Sequence, residues 1–491
     1  MKLNRSHMKN LQILIIFVFL LSALCQCGKR DYVTSDSVEA LNYYKKGEEF
    51  RLQLYYKNAL KNYLSALNAD SNFAMAAFRS ALAYYHFGAE DSGKYYFEKA
   101  LQLRPKISEV EGLIIKYYWA IYHDDKKLET ASLDSLLRFY SDNFEVRVIN
   151  AQNKWKNLDF EGARKIYQDI LRHNPNYIVA YNDLGYLYAR EGLFKESIDY
   201  LEKYKRYAAS QLNPYDSLAE IYIAIGRYYE AIHMLEYIIE NRQDELTENE
   251  YIGLMIYIRI ADTYKKLGQY QKALNILSAA NNFYTSDYSL TRIALARFNL
   301  YKELNQIDRM ETVINYVKSV NPGDDYSYSD AIINIEKMEF NRVLNILARY
   351  KSELENQDKI DRNKLITKAS IEGELNFKTG LFDEAAEQFK LAADTFSDTL
   401  WAADLRLKQY ISEGKAGNYT TALNGLRKII KVNSNCPKAL IYTAEFYTKI
   451  GKESEAKAYI SHFHKLWKNA DPGTPLINQA DTIARKLNLL Q

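Results

Sequence analysis

Tyr181-Asn182-Asp183-Leu184-Gly185-Tyr186-Leu187-Tyr188, followed by Ser197 and Leu201, is the stretch on which the fold turns. Its apolar residues recur at helical spacing, and two small residues, Gly185 and Ser197, stand twelve positions apart. A second stretch, Gly93-Lys94-Tyr95-Tyr96-Phe97-Glu98-Lys99-Ala100, has the same look and runs on to Pro105. Self-similarity at a fixed period decides a fold before local structure does. Counting outward places unit starts at residues 40, 74, 108, 144, 178, 212, 254, 288, 324, 366, 403 and 437, and six of the eleven steps are 34 residues.

The units test physically. Position 8 is Gly or Ala in nine of them, including Gly47, Ala81 and Gly373, and position 20 is Gly, Ala or Ser in nine, including Ala59, Gly93 and Ala456. Two helices approach closely only where such side chains line the contact. Position 15 is Gly in seven units, as the end of a first helix requires. Twelve tyrosines, from Tyr43 and Tyr63 to Tyr264 and Tyr447, fall at positions 4, 11 and 24 and are expected to pack. Units 3 (Ile115, Lys127), 8 (Leu295, Ile307), 9 (Val343) and 11 (Tyr410) break the small-residue rule and are placed by spacing.

This pattern resembles the tetratricopeptide repeat family over residues 40–470. The resemblance implies an all-α, right-handed α-solenoid of about twelve helix-turn-helix units. Two longer steps leave polar segments at 246–253 and 356–365, which suggest three blocks, 40–245, 254–355 and 366–470. Residues 473–491 are expected to form a capping helix, which such arrays need for solubility.

Composition agrees. Only 7 Pro and 19 Gly in 491 residues exclude collagen-like and loop-rich chains. Sixty-five basic against 62 acidic residues argue against a dedicated nucleic-acid binder. Three cysteines exclude a disulfide scaffold.

The N-terminus reads as an address. Lys2, Arg5 and Lys9 precede an apolar run from Leu11 to Leu24, too short for the roughly 20 residues of a membrane-spanning helix. Cys25 and Cys27 at its end resemble the lipidation site of bacterial lipoproteins. Leu24 three positions before Cys27 suits that pattern, and Ala23 suits Cys25; we expect one of the two to carry lipid, with Cys27 first. Residues 1–26 are then a signal peptide and 27–39 a tether. No Asp follows two residues after either cysteine, so the expected address is the outer membrane, facing the periplasm.

No H-E-x-x-H, paired C-x-x-C, G-x-S-x-G or phosphate-binding glycine loop occurs. His462 and His464 are two apart on a helix and point in different directions. Asp124-Asp125 reads as a solvated turn. We expect no catalytic residue, metal or cofactor.

The family implies a concave face lined by first-helix positions 2, 5, 6, 9, 12 and 13. Position 5 runs Tyr44, Phe78, Gly112, Val148, Asn182 and Asp216, and position 6 runs Lys45, Arg79, Leu113, Ile149, Asp183 and Ser217. Neither a carboxylate clamp nor an asparagine ladder is present in them. Position 12 holds Tyr85, Trp119 and Trp155 in successive units, a candidate contact row or else packing around an irregular third repeat. Asn182, Asp183, Asp216 and Glu220, with Tyr186 beside them, form a polar candidate patch or a solvated groove wall. The expected work is that of a non-catalytic adaptor for a protein or peptide ligand in the cell envelope. The alternatives are glycan or nutrient capture, and a part in outer-membrane assembly or export.

Overall fold

The computed structural model describes residues 33–87, 89–103, 107–356, 361–396 and 402–489. The signal segment, Cys25, Cys27, Gly88 and Pro105 lie outside them. Among the described residues there are 26 helices. Twenty-four form twelve pairs, from Val38–Leu52 with Tyr56–Ala69 to Pro437–Lys449 with Glu453–Leu466. The chain is an all-α array of helix-turn-helix units, as expected. The other two helices are Gln243–Glu248 and Pro475–Lys486. The latter packs on both helices of repeat 12 through Ala480, Ile483 and Ala484.

The array divides into two compact units, Met1–Gln152 and Asn153–Gln491, within the first helix of repeat 4, Phe144–Lys156. Neither charged segment marks the division. Residues 246–253 hold the end of Gln243–Glu248, with Leu246 buried, and the start of helix Glu250–Lys266. The first helix of repeat 10 begins at Arg362, a turn earlier than the spacing suggests, because Asp361 caps it by accepting from the backbone of Asn363 and Lys364.

Small residues hold each pair together. In nine repeats the fourth residue of the second helix is Ala, Gly or Ser and is buried, as at Ala59, Gly93, Ser197 and Ala456. The same count corrects two repeats. In repeat 3 the residue is Glu129, not Lys127, and in repeat 8 it is Met310, not Ile307. Facing them, five residues before the first helix ends, are Tyr117 and Phe298 rather than Ile115 and Leu295. Large side chains fill these contacts, so the small-residue pattern could not register them. Glu129 is held by Lys126 at 2.9 Å, and Phe298 and Met310 share one apolar cluster. In repeat 11 the space for Tyr410 comes from the other helix: a Cβ on Gly425 would lie 2.2 Å from its ring.

Every described turn between paired helices carries one left-handed residue. Six are the expected glycines, from Gly192 to Gly451, at φ between 74° and 95°. Five are not glycine: Leu54, Asp124, Leu158, Asn305 and Met338. The tyrosine stripe is buried at Tyr63, Tyr167 and Tyr257, but Tyr43 is exposed and its neighbour Tyr44 turns inward instead.

Within the second unit, repeats far apart in sequence meet. The Trp467 indole N–H donates to the Lys266 carbonyl at 2.9 Å, and the Asp471 N–H donates to the Gly268 carbonyl at 2.9 Å. The Gln271 N–H donates to Asp471 Oδ2 at 2.8 Å, across 200 residues. A parallel contact joins Asn435 Nδ2 to the Gly226 carbonyl at 2.9 Å. The repeats from the sixth to the twelfth therefore close on themselves. Gly268 makes room for this: it is left-handed, and a Cβ there would stand 2.7 Å from the Trp467 ring.

Candidate functional site

In the first unit the inner wall is a packed charge network. Arg79, only 4% exposed, lies 3.0 Å from Glu48 and 2.7 Å from Glu145. Arg51 pairs with Glu48 at 2.8 Å, and the Tyr63 hydroxyl donates to Glu48 at 2.6 Å. Burial raises the Glu48 carboxyl, but the Arg51 and Arg79 guanidiniums with the hydrogen bonds from Arg51 and Tyr63 overcome it and hold it at about 2. Tyr44 closes over the pair, tilted against the Tyr63 ring at 5.7 Å.

The described part of the segment expected as a tether is held before the first helix starts. The Thr34 N–H and hydroxyl donate to the two oxygens of Glu111 at 2.7 and 2.6 Å, and the Ser35 hydroxyl donates to Asp70 at 2.5 Å. Glu111 is buried and also accepts from the Ser108 backbone N–H and hydroxyl in the capping box of its helix.

Tyr85 and Trp119 are half-buried and converge on Phe97. Tyr85 stacks on Tyr122 at 4.5 Å, and Trp119 stacks on His123 at 3.5 Å and meets Phe97 edge to face at 5.4 Å. Trp155 belongs to the second unit, where the Arg190 guanidinium lies 5.0 Å over its ring.

The polar patch of repeats 5 and 6 is drawn together by a residue that the sequence reading passed over. Arg259, in the first helix of repeat 7, donates from Nε to Asp216 at 2.6 Å and from Nη2 to Asp216 and Glu220 at 3.0 and 3.1 Å. The Tyr186 hydroxyl donates to Glu220 at 2.8 Å. Asp216 is buried, so this bidentate pair is a strong one. Arg259 stands at position 6, so carrying that ladder one repeat further would have found it. Asp183 points elsewhere: burial pushes its carboxyl up to about 6, against a hydrogen bond from Tyr167. Asn182 Oδ1 is buried without a hydrogen bond.

The closure of the second unit surrounds a cavity of about 530 Å³. Its wall is a set of ion pairs, all but one of them between helices, none of which the sequence reading named. Lys302 and Lys408 both donate to Glu374 Oε1, at 3.1 and 2.6 Å. Lys438 pairs with Glu303 at 2.9 Å, and Lys265 with Asp262 at 2.7 Å. Lys266 beside it holds the Asp404 carboxyl below its usual range. Burial works against the charge of Glu374, but the two ammoniums hold it well below the usual carboxylate range. Tyr328, Phe389, Tyr442 and Trp467 supply the apolar part of the wall. Cys436 also lines it, and burial pushes its thiol up, which suits an unreactive residue.

His462 bonds to Asn435 at 2.9 Å and His464 to Asp481 at 3.0 Å, so the two histidines serve different neighbours. Among the described residues no group of three His, Cys, Asp or Glu could hold a metal ion. No helix among them is long and apolar enough to cross a membrane.

Two tetratricopeptide repeat family models match, over residues 150–214 and 256–282. No curated protein matches the chain. Among solved structures, yeast Tom70 is similar at 14% identity, covering 92% of this chain and 96% of that one, with a TM-score of 0.35. The tetratricopeptide domain of P58(IPK) is similar at 15% identity over 92% and 99%, with a TM-score of 0.23. The Cut9-Hcn1 hetero-tetramer of the APC/C gives 13% identity over 92% and 96%, with a TM-score of 0.30. The paired helices, their small-residue contacts and the two family matches together make this chain a tetratricopeptide repeat protein, a scaffold for protein–protein contact.

Proposed function

We propose that this scaffold is a non-catalytic adaptor of the bacterial cell envelope, exported and anchored by lipid on Cys27 or Cys25, at the outer membrane and facing the periplasm. Its first-helix faces take a protein or peptide ligand, with Tyr85 and Trp119 as the aromatic contacts of the first unit, and Trp155 as the aromatic and Asn182 and Asp183 as the polar contacts of the second. The observation that carries the reading is the array itself: paired helices repeat from Val38 to Leu466, so that within each unit successive first helices offer a face to a partner. Thr34 is held to Glu111. Six residues separate it from Cys27, at most about 25 Å of extended chain. An anchor there would hold the first unit close to the membrane in a restricted orientation.

Labelling with a palmitate analogue tests the anchor. Label and membrane association should both be lost in the Cys25→Ser, Cys27→Ser double variant; membrane retention without either cysteine would overturn it. Partner capture by cross-linking in envelope preparations tests the adaptor. Capture should fall in a Trp119→Ala, Trp155→Ala variant of unchanged helicity, and unchanged capture would remove the aromatic row.

A further inference from the structure

The chamber of the second unit has a property that its ion pairs do not cancel. Among the described residues five lysines line it against four carboxylates, so one positive charge has no counterpart among them in the wall. The surplus is localised. Lys302 and Lys408 share a single oxygen of Glu374, at 3.1 and 2.6 Å, so the two ammoniums lie within the sum of those distances of each other. They come from repeats 8 and 11 and meet only because the unit closes on itself. Each also lies against a ring, Lys302 5.6 Å from Tyr328 and Lys408 5.5 Å from Phe389. A surplus charge between low-dielectric walls focuses its field on the space it faces. Two ammoniums on one oxygen are better satisfied by a second acid group. The volume, about 530 Å³, is that of a small-ligand pocket, and Trp467 closes one side.

We propose that this chamber binds a monoanion carried on an aromatic or apolar body, the acid group bridging Lys302 and Lys408 and the body lying against Tyr328, Phe389 and Trp467. The acid can be the free end of a peptide or a small aromatic acid. Neither the lipid anchor nor the adaptor reading is needed for this site.

Calorimetric titration of the full chain tests it with three probes: N-acetyl-Phe-Phe with a free carboxylate, the same dipeptide as its amide, and 4-phenylbutyrate. At least one acid should bind saturably, and the dipeptide acid at least ten-fold more tightly than its amide if chain ends are the natural source. Tighter binding of phenylbutyrate assigns the site to small acids. Lys302→Gln, which leaves Lys408 on Glu374 and balances the wall, should weaken the better acid ten-fold or more, and Lys302→Arg should retain it. Saturable binding of neither acid would overturn the proposal. So would binding of the amide as tightly as both acids, or a folded Lys302→Gln chain that binds as the parent does. The acid–amide comparison on the unaltered chain decides even if the Gln variant does not fold.

Discussion

The two units build their inner walls from the same repeat and arrive at opposite electrostatics. In the first, two arginines meet two glutamates: Arg51 and Arg79 against Glu48 and Glu145. Tyr63 supplies a further donor to Glu48. The set is balanced and packed, so it is wall. In the second, the charges stand around a cavity and do not balance. A buried balanced network contributes little net stability, because desolvation offsets attraction. Its members nevertheless become indispensable to one another. An unbalanced set facing a cavity is held ready for a charge from outside.

The largest expected effect breaks the first wall. Arg79→Met removes a partner from Glu48 and from Glu145 at once and should destabilise the first unit by about 3 kcal/mol in urea unfolding at pH 7. The lower end of the usual range applies, because the two carboxylates keep 22% and 30% of their exposure. Lys302→Gln should cost less than about 1 kcal/mol, since Glu374 keeps Lys408. Equal costs for the two variants would erase the contrast between wall and site.

Acid should separate the units as well. Glu48 has its folded pKa depressed to about 2. Its contribution is therefore fully present above the unfolded carboxyl value of about 4.3 and is lost as pH falls through 2. Asp183, in the second unit, is raised to about 6. The fold prefers its protonated form, so that contribution is complete below about 4 and is lost as pH rises through 6. At pH 7 the ionised, half-buried carboxylate is a cost. Asp183→Asn should raise the stability of the second unit by about 1 kcal/mol at pH 7, after discounting for partial exposure, and by almost nothing at pH 4. Urea midpoints at the two pH values measure this; a gain independent of pH would detach Asp183 from the effect.

How much of this could be read from sequence follows from the range of each interaction. The helix pairs were legible because their contacts are local: Gly47 near Tyr63, Gly373 near Phe389. Repeats 3 and 8 slipped by two or three residues because Tyr117 with Glu129, and Phe298 with Met310, fill the contact with bulk. Arg259 was within reach, one step along a ladder already laid out. The chamber was legible only in its parts. Lys266, Glu374, Lys408 and Lys438 stand at positions 13, 9, 6 and 2, all on the face the family uses, yet nothing in any one repeat says that repeat 7 will meet repeat 12. That meeting is the sum of small rotations between neighbours, and it is recorded in Trp467 and Asp471, which lie beyond the last repeated helix.

The smallest effect asks whether the two units carry the same strain in their turns. A left-handed backbone costs a non-glycine residue about 1–2 kcal/mol, and six turns avoid that cost with glycine. Met338 does not: its φ is 61°, and its side chain is 67% exposed, so removing it forfeits little packing. Glycine at that position gives back part of the gain through greater freedom of the unfolded chain. Met338→Gly should therefore stabilise the second unit by about 0.5–1 kcal/mol, read as a higher urea midpoint at unchanged slope. Leu54, at 63° in the first unit, is partly buried between its helices, so Leu54→Gly should gain less or nothing. A loss at Met338 would mean that the turn is relaxed there in spite of its left-handed φ, and close approach would then account for glycine only at Gly226 and Gly268, where a Cβ would meet Asn433 and Trp467.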